Sequence, residues 1–278
     1  MKIRANFHTH STYCDGKHSL EEVVLSAIEK GMDAVGFSGH GHTPHDDTYC
    51  MTVEDTERYK TEIATLKEKY KGKIEIYCGL EMDYFTESDP TEFDYTIGSV
   101  HYVEKNGVYH DVDASPALFK ESVKKGWDGD AVGFAVDYFA QMADIIQKTD
   151  ADIVGHFDLV AKFNEGGRFF DENDPRYVAA WKAALDKLIP SEKLFEINTG
   201  AISRGYRTEP YPAKPILKDI VARGGKLIIT ADSHHKDTLE YGFYEAMQYA
   251  KSCGVTELYT LAGNPVKQVK TNVLTSLF

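Results

Sequence analysis

Histidines and carboxylates recur along this chain in short, regular pairings. His8-Thr9-His10 opens the series, with Asp15 five residues further on. His40 is followed by His42 and His45; then come Glu81, His101 and His156, and Asp232-Ser233-His234-His235 closes the set. In an extended segment alternate side chains point to one side, so His8 and His10 can reach one ion, and so can Asp232 and His234. One such pair is as readily a polar strand end as a ligand pair. A series of them presented together is the signature of a polynuclear metal site. The four cysteines, Cys14, Cys50, Cys78 and Cys253, contain no CxxC pair. Their spacing argues against a thiolate zinc site and a disulfide scaffold, and fits a reducing cytoplasm.

Each pairing falls where an apolar run ends. The runs at 3–7, 33–38, 73–79, 95–100, 153–155, 194–197 and 227–230 read as strands. Between them, 20–30, 53–70, 130–148, 175–188, 215–223 and 241–251 read as helices, and 257–261 as a last apolar edge segment. Ser19 and Glu22 have the spacing of a capping box at the first helix. Strands alternating with helices imply a mainly parallel sheet with helices outside, and about seven units without a linker favour one closed barrel over two domains. The irregular stretches, 41–52, 104–129 and 160–174, all follow the carboxyl ends of strands, where barrel enzymes place their sites.

Composition narrows the function classes. The 278 residues include 31 basic and 44 acidic side chains, a net charge of −13, with 42% hydrophobic and 12% aromatic residues. Such a chain folds as a globular protein. It has no uncharged apolar stretch of about 18 residues and no signal-like start, so a cytoplasmic protein without a membrane partner is expected. The acidity speaks against nucleic acid as a partner. It leaves room for a small anionic substrate, because bound metal ions reverse the sign of a local field. Oligomeric state is not readable from the sequence.

The segments HTHSTYCDG at 8–16, SGH at 38–40, GLE at 79–81, GSVH at 98–101, GHFD at 155–158 and ITADSHH at 229–235 resemble the motifs of the polymerase and histidinol phosphatase (PHP) family. The loop at 160–174 and EINTGAISRG at 196–205 are most similar to its histidinol-phosphate phosphatase branch. Two departures stand out: Gly39 precedes His40 where an aspartate is common, and Asp15 stands where many members carry a histidine. The resemblance implies an α/β fold, a distorted TIM-like (β/α)7 barrel forming a single domain over 1–278, with three divalent ions. It places His8, His10, Glu81 and Asp232 on the first ion, Glu81 bridging to a second held by His101 and His156, and Asp15, His40 and His234 on the third. Nitrogen and oxygen donors without sulfur suit Zn²⁺, Mn²⁺ or Fe²⁺. Three divalent ions against three carboxylates leave a pocket of positive charge suited to a phosphate dianion.

The expected activity is hydrolysis of the phosphate monoester L-histidinol phosphate, in histidine biosynthesis, by a hydroxide bridging two metals. Glu81 and Asp232 then serve catalysis as ligands, and His42 as phosphate contact and proton donor, although His42 reads equally as a surface loop residue. Arg168, Arg204 and Arg207 follow strands and have the planar fork that suits phosphate oxygens, with ordinary surface solvation as the alternative. His18, His45 and His110 read as solvent-exposed, and His235 as pointing away from the site. Phe163, Phe169, Phe170 and Tyr206 read as core packing or as walls for an imidazole; Trp127 and Trp181 read as structural. A phosphodiesterase or nuclease acting on small nucleotides, and an inactive metal-binding scaffold, are the competing readings.

Overall fold

The computed structural model describes residues 3–46 and 48–271. Strand β1 (Ala5–Asn6) leads through the histidine pair to helix α1 (Leu20–Glu29). That helix starts where it does because the Ser19 hydroxyl accepts the Glu22 N–H while the Glu22 carboxylate accepts the Ser19 N–H, a reciprocal capping box. Then follow β2 (Ala34–Phe37), α2 (Val53–Lys69), β3 (Glu75–Asp83) and β4 (Tyr95–Ser99). All four residues of β2 are buried, as expected of a strand covered on both faces.

The stretch expected to be irregular at 104–129 is mostly ordered: strands β5 (Tyr102–Lys105) and β6 (Val108–Asp111) form an antiparallel hairpin, and helix α3 (Pro116–Trp127) follows. Asn106 and Gly107 turn the hairpin with φ of 54° and 78°, the positive pair that an Asn-Gly turn supplies. Helix α3 begins at Ser115, whose hydroxyl caps the Leu118 N–H, with Pro116 in the first turn. His110 is buried against Trp127, with ring centroids 5.0 Å apart, which corrects its reading as a solvated side chain.

Helix α4 (Ala131–Thr149), β7 (Ile153–Val154), α5 (Pro175–Leu188), β8 (Leu194–Asn198), the short α6 (Gly200–Ser203), α7 (Lys214–Ala222), β9 (Lys226–Thr230) and α8 (Phe243–Ser252) continue the alternation. The apolar edge segment becomes β10 (Leu258–Ala262), paired antiparallel with β11 (Lys267–Thr271).

Seven parallel strands run in the order β1-β2-β3-β4-β7-β8-β9. Beyond β1 and β9 the chain closes on itself: His10 N–H donates to the Ser233 carbonyl at 2.8 Å and Ser233 N–H to the His8 carbonyl at 3.0 Å. The result is a nearly closed barrel. Phe7, Tyr77, Tyr95, Ile97, Ile153, Leu194 and Ile228 pack together with Leu261 of β10. Tyr95 ties this layer together, its hydroxyl donating to the Phe7 carbonyl at 2.6 Å and the Phe37 carbonyl at 3.2 Å. Gly36 and Gly79 make room for it; a Cβ at either would lie within 2.5 Å of the Tyr95 side chain. Among the described residues no helix is long and apolar enough to cross a membrane.

Candidate metal centre

Alternation along β3 decides which way Glu81 points. Leu80 and Met82 are buried with the apolar residues of α1 and α2, so Glu81 between them faces the barrel interior. Its two oxygens meet two different sets of donors. Oε2 lies 3.0 Å from His8 Nε2 and 3.4 Å from His10 Nε2. Oε1 lies 3.0 Å from His156 Nε2 and 3.4 Å from His101 Nε2, and accepts a hydrogen bond from Ser99 Oγ at 2.6 Å. Asp232 Oδ1 completes the first set, 3.4 Å from His10 Nε2 and 3.7 Å from His8 Nε2. Asp15, His40 and His234 form a third set, with Asp15 Oδ2 3.0 Å from His234 Nε2 and Oδ1 3.8 Å from His40 Nε2.

These spacings fit metal ions. Donors about 2.1 Å from a tetrahedral zinc stand roughly 3.4 Å from one another. His10 Nε2 is buried with no hydrogen-bond partner, a cost that a coordinated ion would remove. All nine residues assigned as ligands by resemblance come together. The residues of the first two sets are buried, whereas the Asp15 and His234 side chains at the edge of the third are 35% and 21% exposed.

The electrostatics follow from burial and from carboxylates set among imidazoles. Burial alone would lower His8, but Glu196, Glu81 and Asp232 raise it well above its ordinary value. Burial likewise opposes, and the Asp83 and Glu81 carboxylates achieve, a raised His101. His40 falls to about 3, because burial outweighs the attraction of Glu81 and the neighbouring His10 adds repulsion. Burial opposes ionisation of Glu81, Asp232 and Asp15, yet the surrounding imidazoles, with Arg204 beside Asp232, hold all three below the usual carboxylate range.

Asp232 has a φ of +45°, in the left-handed region that non-glycine residues seldom occupy. Arg204 clamps it there, Nη2 donating to Asp232 Oδ2 and Nη1 to its carbonyl, each at 2.9 Å. Gly200 permits the clamp: a Cβ there would stand 2.7 Å from Asp232 Oδ2 and 2.8 Å from Arg204 Nη2. Strain at a ligand held by its surroundings is typical of functional sites.

The cluster opens into a cavity of about 470 Å³. Arg204 and Tyr206 line it, as two of the loop residues singled out from the sequence. The other cationic candidates lie elsewhere. Arg168 is exposed, its guanidinium 5.0 Å from the Phe169 ring beside a separate surface cleft with Lys120 and Lys124. Arg207 is turned inward, 3.9 Å from Asp158 Oδ2 and stacked 4.8 Å from the Tyr211 ring. His42 is half-buried outside the cavity wall, its carbonyl accepting from Thr86 Oγ1 at 2.8 Å. A two-residue offset from His40 does not keep both rings in one pocket once the chain leaves the strand. His45 stacks on Tyr109, with centroids 3.7 Å apart, and Phe163 and Phe170 join the core.

Several wall residues escaped the sequence reading. Lys162 is buried and paired with Asp113 at 2.8 Å, and Asp46, Asp111, Asp113, Tyr49 and Tyr102 line the same cavity. Behind the ligands stand two more carboxylates, Glu196 on His8 Nδ1 at 2.6 Å and Asp83 on His101 Nδ1 at 3.3 Å. Asp83 follows Glu81 by the same two-residue step as the histidine pairs, and Glu196 interrupts an apolar strand; both signals were legible.

The sequence pattern described as the PHP domain matches residues 6–200. A Schizosaccharomyces pombe protein named "Probable histidinol-phosphatase" is 27% identical over 95% of this chain and 91% of its own length. The histidinol-phosphatase of Lactococcus lactis is 26% identical over 98% of both chains. The crystal structure of histidinol phosphate phosphatase from Lactococcus lactis, complexed with zinc, L-histidinol and phosphate, aligns with a TM-score of 0.71. It is 23% identical and the alignment covers 96% of this chain and 100% of that one, a likeness of fold. The domain match takes in seven of the nine clustered ligands, His8 through His156, and the barrel's closure adds Asp232 and His234. With well over half its length inside that match, the chain belongs to the PHP domain family.

Proposed function

We propose that this protein is a metal-dependent phosphomonoesterase that hydrolyses L-histidinol phosphate to L-histidinol and phosphate. The observation that carries this reading is the clustering of nine nitrogen- and oxygen-bearing side chains, seven of them lining one cavity, with Glu81 turning one oxygen to each of two donor sets. On the division that the family resemblance implies, His8, His10, Glu81 and Asp232 would hold one ion, Glu81, His101 and His156 a second, and Asp15, His40 and His234 a third, with His40 Nδ1 also 3.2 Å from Glu81 Oε2. Bound divalent ions of the Zn, Mn or Fe kind supply an acidified water and positive charge for phosphoryl oxygens.

The chain's own residues do the remaining work. Arg204, fixed on Asp232, lines the cavity beside the ligands and brings a part-buried guanidinium to the place where a phosphate would bind. Lys162, held by Asp113, adds a second buried cation to the wall. Asp46 and Asp111 add carboxylates to the same cavity lining. Cations and carboxylates in one cavity suit a substrate that carries both a phosphate and an amine. A cavity of about 470 Å³ is of small-molecule size and exposes no basic track for nucleic acid. The relatives named histidinol-phosphatase, and the Lactococcus lactis structure holding zinc, L-histidinol and phosphate, support the same substrate.

The test is phosphate release by protein purified without chelator and analysed for metals. L-Histidinol phosphate is to be compared with simple alkyl phosphates, a dinucleotide and a cyclic phosphodiester. Highest kcat/KM for L-histidinol phosphate is expected. A diester turned over faster would replace this reading with the nuclease-like one.

A further inference from the structure

A charged side chain in the middle of an apolar strand needs a reason. Glu196 lies in β8, where all five residues are buried, and is itself 1% exposed. Three donors and the His8 ring nitrogen converge on it. His8 Nδ1 at 2.6 Å and Thr230 Oγ1 at 3.0 Å reach Oε1; the His156 backbone N–H at 2.8 Å and Asn198 Nδ2 at 3.0 Å reach Oε2. The Asn198 amide is oriented by its own oxygen, which accepts the Gly200 N–H at 2.9 Å.

An ionised carboxylate accepts in about four directions and donates in none, so this set of partners saturates it. A glutamine in the same place would turn its NH₂ either toward the two fixed donors at Oε2 or toward His8 Nδ1, which would then have to accept. Oε2, facing two fixed donors, can carry no proton, and a proton between Oε1 and His8 Nδ1 belongs to the imidazole, the stronger base of the two. The site therefore demands the charged form, and the charged form demands a hydrogen on His8 Nδ1. Release of the Nε2 proton on metal binding then frees a lone pair among the donors of the first set, Glu81 Oε2 at 3.0 Å and Asp232 Oδ1 at 3.7 Å. A carboxylate behind a ligating imidazole fixes its tautomer and strengthens it as a base toward metal. The third set is arranged differently: His234 Nδ1 meets Arg204 Nη1 at 3.0 Å, with Asp232 Oδ1 at 3.4 Å beside it.

We infer that Glu196 is a positioning residue of the metal centre, holding His8 as its Nδ1–H form and thereby setting the affinity of the first ion site. The inference rests on the metal-centre reading above and on nothing about the substrate.

The full-length protein, stripped of metal, is titrated with Zn²⁺ against a chromophoric chelator. In Glu196→Gln the tightest Zn²⁺ should bind roughly ten- to a hundredfold more weakly, with circular dichroism unchanged. Glu196→Asp, which keeps the charge on a shorter arm, should recover part of that loss. Unchanged Zn²⁺ affinity in a folded Glu196→Gln protein would overturn the inference. A second measurement needs no Glu196 variant: long-range ¹H–¹⁵N correlation on the metal-free wild type, with His8 assigned by the signals lost in His8→Asn. Nδ1 should carry hydrogen; a neutral His8 protonated only at Nε2 would overturn the inference even if the glutamine variant failed to fold. No phosphoester enters either measurement, so both results stand if L-histidinol phosphate proves not to be the substrate. Failure of the wild type to bind Zn²⁺ would overturn the metal centre and this inference together.

Discussion

Arg204 and Asp232 form a unit in which a metal ligand and a cation of the cavity wall share hydrogen bonds. Removing the guanidinium withdraws a charge-assisted contact from phosphate and also releases a ligand held at a φ of +45°. Arg204→Ala is therefore expected to lower kcat/KM for the monoester by roughly ten- to several hundredfold. Metal content should fall with it, because Asp232 loses the clamp that aims it. Elemental analysis beside the kinetics checks both halves. The imidazoles give a second prediction. His8 and His101, held above their ordinary values, are protonated in the metal-free protein near neutral pH and must release those protons to bind metal. His40, at about 3, is already neutral and contributes nothing to that release. Metal affinity should thus weaken as pH falls, beginning above the ordinary histidine value of about 6.5. Calorimetric titrations in buffers of different ionisation enthalpy will count the released protons. In the metal-free chain the sign for stability is opposite for the two kinds of group. The contribution of His8 and His101 is full below about 6.5 and is lost as pH rises through their raised values. That of Glu81 and Asp232 is present above about 4 and is lost as pH falls toward their depressed values.

Strands place these groups, and the strands depend on close contacts in the layer around Tyr95. A Cβ on Gly79 would meet Tyr95 Cζ at 2.4 Å and the Phe37 carbonyl oxygen at 2.8 Å, a backbone atom that has no room to give. Gly79→Ala should destabilise the fold by about 1–3 kcal/mol or more, read as a lowered urea midpoint. Glu81, two residues along the same strand, should lose metal affinity with it. The principal elements were legible because hydrophobic period and caps are local properties: the Ser19–Glu22 box and the 175–188 helix stand as read. The β5–β6 hairpin was not recovered, although Asn106-Gly107 is a direct turn signal. Its strands carry charged and aromatic residues without a clean apolar face, so period alone does not announce them.

For the molecule as a whole, metal binding and folding are linked. The first two ligand sets are drawn from β1, β3, the ends of β4 and β7, and the segment after β9, so ions bound there tie the barrel's closing strands together. Ligand at a hundredfold above its dissociation constant stabilises by about 2.7 kcal/mol. For a chain of this size that corresponds to a fall in Tm of roughly 5–10 °C on chelation. Restoring Zn²⁺ or Mn²⁺ should reverse it; a Tm indifferent to chelator would mean that the ligands do not brace the fold.

The sequence alone determined which residues could be ligands, because two-residue spacing in an extended segment puts both side chains on one side whatever the rest of the chain does. His8 with His10, and Asp232 with His234, are of this kind, and the apolar runs before them locate the strand ends. Tertiary structure decided what spacing cannot encode. It brought Glu196 to His8 across 188 residues and Arg204 to Asp232 across 28, while leaving Arg168 on the surface and turning Arg207 and His42 away from the cavity wall. Those outcomes depend on how loops leave the barrel and on which strands become neighbours when it closes. Both follow from packing between segments remote in the chain, where no local period carries the information.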